Sequence, residues 1–155
     1  MPTRSHTSGH PIISLVLWML GALTLLGLPG LADAAGQMKF EDGLEVNYSA
    51  VPTSRLAEDV ASRYGIPRSR IQGLVLVSAR RGQDNVRLDV RGDAVDRRDR
   101  RQALQFREIG SDGQVSYISL VRVEAGELLR FDLTVRERDA STRHPLRFSE
   151  RFHAE

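Results

Sequence analysis

The chain has no cysteine. That excludes disulfide staples, a thiol nucleophile and lipid attachment at a processed cysteine, so stability must come from packing alone. Histidine is nearly as scarce: beyond the first thirty-odd residues only His144 and His153 remain. Both read as exposed, His144 in a loop before Pro145 and His153 close to the last residue given. Two histidines without cysteine offer no zinc spacing, and Ser141 and Ser149 nearby lack a glycine-flanked nucleophile elbow. No glycine-rich phosphate loop follows any candidate strand. Asp93, Asp96 and Asp99 are spaced like a carboxylate loop, but arginines intervene and the terminal glutamate of a calcium loop is missing. Lysine is almost absent too, with Lys39 the only one, so nearly all the positive charge is arginine. The net charge of +2 is small and the basic residues are mixed with acids, which argues against a nucleic acid partner. No metal or cofactor is expected. The balance favours a protein that binds over one that catalyses, although residue spacing leaves catalysis open.

What is present begins with a greasy stretch. Ile12 to Leu28 is apolar apart from Ser14 and Thr24, follows Arg4, His6 and His10, and ends at Pro29-Gly30. Ala32-Asp33-Ala34 then fits a small-x-small cleavage site. We read residues 1–34 as a secretory signal peptide and residues 35–155 as one domain exported to the periplasm, with no stable membrane span after cleavage. An uncleaved anchor is the alternative, because the run approaches the roughly 20 residues that span a bilayer.

The remaining chain is organised around Leu44 to Arg80. Leu44, Val46, Tyr48 and Ala50 alternate with polar residues, the period of a half-buried strand. Pro52 ends it, and Thr53 and Ser54 offer hydroxyls to cap a helix. Leu56, Val60 and Tyr64 make one helical stripe, Gly65 supplies a left-handed stop, and Pro67 prevents continuation. Ile71 to Ala79 reads as a central strand buried on both faces. Further alternation runs through Val86–Val90, Leu104–Phe106, Val115–Val123, Leu129–Val135 and Leu146–Phe152, and Met38–Glu41 makes a short first strand. Gly110-Ser111-Asp112-Gly113 is a strong hairpin turn. The pattern predicts an all-β, immunoglobulin-like antiparallel β-sandwich of about seven strands with one short helix. A small closed barrel shares the same period and turn spacing.

Two candidate sites stand out. Tyr48, Tyr64 and Pro67 could line a groove between helix and sheet, with Asn47 needing partners if buried and Arg70 placed to pair with Glu58 or Asp59. These make Asn47, Tyr48, Tyr64 and Arg70 the ligand-binding candidates. The second is the charge run Arg97, Arg98, Arg100 and Arg101. It could contact anionic lipid headgroups or a polyanionic envelope polymer, against the simpler reading of a solvated hairpin tip.

Leu44-Glu45-Val46-Asn47-Tyr48-Ser49-Ala50, Ala57-Glu58-Asp59-Val60-Ala61 and Tyr64-Gly65-Ile66-Pro67-Arg68-Ser69-Arg70 resemble a family of exported proteobacterial proteins, domain of unknown function 4426. Gln105-Phe106-Arg107-Glu108-Ile109 and Leu129-Arg130-Phe131-Asp132-Leu133 resemble its later strands. Leu76 departs from it, standing where an asparagine is expected. The resemblance implies export from a Gram-negative cell and one small domain, and it brings no catalytic residues. Together these readings point to a non-catalytic binding or structural module acting on an envelope protein or polymer. The alternative is a small-ligand carrier or accessory enzyme with a pocket beside the 56–64 helix.

Overall fold

The alternation of Leu44, Val46 and Ala50 forms the strand it predicts, with these three side chains fully buried. The computed structural model describes residues 34–111 and 113–153. The leader assigned to residues 1–34 therefore lies, but for Ala34, outside the described residues. Among the described residues ten strands and one short α-helix follow in order, with a single 3-10 turn at Thr53–Arg55. They are β1 (Ala34–Lys39), β2 (Leu44–Pro52), α1 (Glu58–Arg63), β3 (Gln72–Arg81), β4 (Asp84–Asn85), β5 (Leu88–Val95), β6 (Arg101–Ala103), β7 (Arg107–Ser111), β8 (Gln114–Arg122), β9 (Glu127–Glu137) and β10 (Arg143–Phe152). All pairings are antiparallel. One sheet has the order β1-β2-β3-β8-β7 with β4 beside β3, and the other has the order β10-β9-β5-β6. The count exceeds the expected seven mainly through β4 and β6, of two and three residues.

The inner faces of the two sheets meet over one apolar core. Val46, Val75, Val77 and Tyr117 of the first sheet pack with Leu88, Phe131, Val135 and Leu146 of the second. Phe148 joins them through aromatic contact. It stacks on its cross-strand neighbour Phe131 at 4.8 Å and on Tyr48 of the opposite sheet at 4.6 Å between ring centroids. Farther along, Gly73 leaves room for Phe152, since a Cβ there would lie 2.6 Å from the ring. Tyr117 adds a polar tie between sheets. Its hydroxyl accepts the Leu88 N–H at 2.9 Å and donates to Glu108 at 3.1 Å. At the rim, Arg81 of β3 reaches Glu137 of β9 at 3.0 Å and Asp42 at 3.7 Å.

A second, smaller cluster sits outside the first sheet. Ile66, Leu56 and Tyr64 cover Leu74, Ile118 and Ile109. The connection between β2 and β3 thereby shields part of the first sheet's outer face. Gly65 ends α1 as expected, with φ +62°. Its N–H donates to Ser62 at 3.1 Å and the Ile66 N–H to Ala61 at 2.8 Å, the paired bonds of a Schellman stop. The helix start differs from expectation. Ala57 is the N-cap and has no side-chain cap bond, whereas Thr53 is buried and clamps Ser69. The Thr53 hydroxyl accepts the Ser69 N–H at 2.9 Å and donates to its carbonyl at 3.2 Å.

Two further expectations are corrected. Leu104 to Phe106 is not a strand but the crossing from one sheet to the other, where the Leu104 N–H donates to Gly92 at 2.9 Å. Its side chains alternate because both reach the core edge, not because the backbone is laddered. His144 lies in β10 rather than a loop, with its ring 4.2 Å from that of Phe40 and Nε2 3.1 Å from Asp42.

Replacing Tyr117 by Phe removes the acceptor of a buried backbone N–H, which should cost about 1–3 kcal/mol. Urea unfolding of the variant should show that loss; stability equal to the native protein would contradict the inter-sheet role of the hydroxyl.

Candidate functional site

The outer face of the β10-β9-β5-β6 sheet follows from the same alternation that fills the core. While Leu129, Phe131, Leu133 and Val135 of β9 point inward, Arg130, Asp132, Thr134 and Arg136 point out. The register then aligns rows across three strands. Arg143 faces Arg136, which faces Asp89; Pro145 faces Thr134, which faces Arg91; Arg147 faces Asp132, which faces Asp93. Ser149 and Arg130 continue the face past the buried Val95 to Arg101, and Arg151 extends it at the end of β10. Arg91, Arg101, Arg130, Arg136, Arg143, Arg147 and Arg151 thus share one surface with Asp89, Asp93 and Asp132 of the strands, and Asp99 of the turn between β5 and β6 reaches Arg130 at 3.9 Å.

Ion pairing consumes part of this charge. Asp132 lies 3.5 Å from Arg130 and 3.6 Å from Arg147, Asp93 lies 3.3 Å from Arg101, and Asp89 contacts Arg136 directly. Arg91 and Arg143 have no carboxylate partner among the described residues. Both border an open cleft of about 290 Å³, together with Asp89, Thr134 and Arg136.

The arginine run between β5 and β6 adjoins this face and divides in two. Asp96 organises the turn, accepting the Arg98 N–H at 2.8 Å, the Arg100 N–H at 2.9 Å and the Arg100 Nε at 2.5 Å. Burial opposes ionisation of Asp96, but those three bonds outweigh it and hold the carboxyl below the ordinary aspartate range. Arg100 is therefore bound to the turn and Arg101 to Asp93. Arg97 and Arg98 are exposed, and their side chains have no acid partner among the described residues.

The other sequence candidates do not converge on one place. Tyr48 points inward to Phe148, whereas Tyr64 lies in the cluster outside the same sheet. A shared groove would require them on one face, and the β2 register puts the sheet between them. Asn47 lies on the outer face, between Gln37 and Ser78. Arg70 is exposed and pairs with neither Glu58 nor Asp59. A separate cleft of about 270 Å³ is lined by Ala103, Gln105, Arg107, Ile118, Ser119 and Leu120. Arg107 donates to the Tyr64 carbonyl, which brings this cleft beside the end of α1. Among the described residues there is no group of three or more His, Cys, Asp or Glu side chains that could hold a metal ion.

Sequence reasoning found the hairpin arginines and missed Arg91, Thr134, Arg136 and Arg143. Their signal is the arginine opposite each apolar position in three separate strands. It reads as ordinary solvation until strand order sums it on one surface.

Residues 38–155 match a family model described as Domain of unknown function (DUF4426). No curated protein matches the chain. A crystal structure of a DUF4426 family protein from Pseudomonas aeruginosa shares 24% identity at a TM-score of 0.69, covering 78% of this chain and 96% of that one. A copper-bound variant of FetP from uropathogenic Escherichia coli shares 9% identity at a TM-score of 0.53, covering 79% and 92%. Both likenesses concern the fold.

The hydrogen bonds to Asp96 give a pH prediction. A carboxyl held below its unfolded value of about 3.9 adds stability that is fully present above that pH and is lost as pH falls through the lower folded value. The Arg98 and Arg100 amide resonances should therefore stay fixed down to about pH 4 and shift only below it, and Asp96→Asn should abolish the shift. A midpoint above about pH 4.5 would contradict the turn geometry.

Proposed function

The chain belongs to the DUF4426 family, and from that premise we propose an exported, non-catalytic binding module of the Gram-negative periplasm that engages an anionic polymer of the cell envelope. In this reading residues 1–34 are removed on export and residues 35–155 form the working domain, with an immunoglobulin-like scaffold of two antiparallel sheets. Among the described residues no helix is long and apolar enough to cross a membrane. One observation carries the proposal: the strands of the β10-β9-β5-β6 sheet place seven arginines on its outer face against three aspartates, with Asp99 of the adjoining turn as a fourth acid. Arg97, Arg98, Arg100 and Arg101 extend that surface, with Arg97 and Arg98 as its free contacts. Arginine suits the role because its planar donor fork matches anionic oxygens and stays charged at any physiological pH.

A second reading, the small-ligand carrier or accessory enzyme, is favoured by the cleft between Arg107 and Leu120 beside α1. Of the ligand-binding candidates, Tyr64 would adjoin it, since its carbonyl accepts from Arg107.

Heparin, a soluble polyanion, separates the two. The domain should bind it with an affinity that falls as salt rises, and a variant with Arg97, Arg98, Arg147 and Arg151 changed to serine should bind at least about tenfold more weakly, roughly 1.4 kcal/mol. Binding that is indifferent to salt or to these substitutions would overturn the polyanion reading.

A further inference from the structure

We propose that the cleft bordered by Arg91, Thr134 and Arg143 is a discrete site for a phosphomonoester, the group through which this face grips its partner. The inference rests on the polyanion reading above and names the chemistry of one contact. Arg91 comes from β5, Thr134 from β9 and Arg143 from β10, so three strands each supply one donor. Thr134 lies directly opposite Arg91, and Arg143 is the cross-strand partner of Arg136, two residues farther along β9.

Charge selects the ligand class. The remaining charged groups at the cleft, Asp89 and Arg136, contact each other and cancel, and Arg136 is further held by the Ala140 carbonyl at 3.2 Å. That leaves two guanidinium groups with no carboxylate partner among the described residues. A phosphomonoester carries about 1.5 to 2 negative charges near neutral pH and presents three acceptor oxygens, enough for both arginines and the threonine hydroxyl. A carboxylate carries one charge and would leave one guanidinium uncompensated.

The test is a titration of the isotope-labelled domain with phenyl phosphate at constant ionic strength, followed by NMR. The amides of Arg91, Thr134 and Arg143 should shift saturably. Affinity at about pH 7.5 should be roughly tenfold tighter than at about pH 5, following the dianion population of a group that ionises near 6. Arg91→Gln and Arg143→Gln should each weaken binding at least about tenfold while their urea midpoints stay native. Arg63→Gln, at an exposed arginine of α1 outside this face, should leave it unchanged. Acetate binding as tightly as phenyl phosphate, or phenyl phosphate binding untouched by both single variants, would overturn the site. Vesicles containing phosphatidic acid separate the sources: capture that needs Arg91 assigns the ester to a lipid headgroup, and binding of the soluble ester alone assigns it to a polymer or metabolite. Heparin binding without phenyl phosphate binding would sink this site and spare the polyanion reading, whereas loss of both would sink the two together.

Discussion

Closure of two sheets over a dry interior is the constraint on which everything else in this protein depends. No covalent cross-link is available, so the inner side chains must hold the layers together. The column Tyr48, Phe148 and Phe131 shows how. Phe148 is fixed within its own sheet by Phe131 and meets the opposite sheet through Tyr48, so one ring serves both lateral and vertical packing. Offset stacked pairs of this kind add about 0.5–1.5 kcal/mol beyond the area they bury. Tyr117 contributes direction as well as volume, because its hydroxyl accepts one particular N–H at the start of β5.

Once the interior is closed, the outer faces are released for other work, and the two sheets use them differently. The first sheet is partly roofed by the segment from Leu56 to Ile66, which buries Leu74 and Ile118. The second has no such cover among the described residues, and it carries the arginines. Its edge strand β10 also needs protection from pairing with another chain, and Pro145 with the flanking arginines provides it. The same side chains thus disfavour strand addition at the edge and give the face an excess of positive charge.

Much of this was legible in the residues themselves. The period of β2, β8, β9 and β10, the stop at Gly65 and the turns are local, and local chemistry decides them. Three features are not local. Leu104 and Phe106 alternate like a strand because the chain crosses between layers there, and alternation of burial cannot distinguish the two. Tyr48 and Tyr64 looked like neighbours because they are close in sequence, but an intervening sheet separates them. The cleft at Arg91 and Arg143 exists only because β5, β9 and β10 are adjacent, which no single strand records. Thr53 illustrates a fourth case: its hydroxyl could cap a helix or clamp a loop, and only the position of Ser69 decides.

The central claim is that inner faces hold the fold while the outer arginines add recognition and little stability. Equilibrium urea unfolding of a variant with Arg91, Arg143, Arg147 and Arg151 changed to glutamine tests it most directly. Exposed charges of this kind contribute little individually, so the unfolding free energy should remain within about 1 kcal/mol of the native value. A loss approaching the roughly 3–5 kcal/mol expected for Phe148→Ala would contradict the division of labour between the two faces.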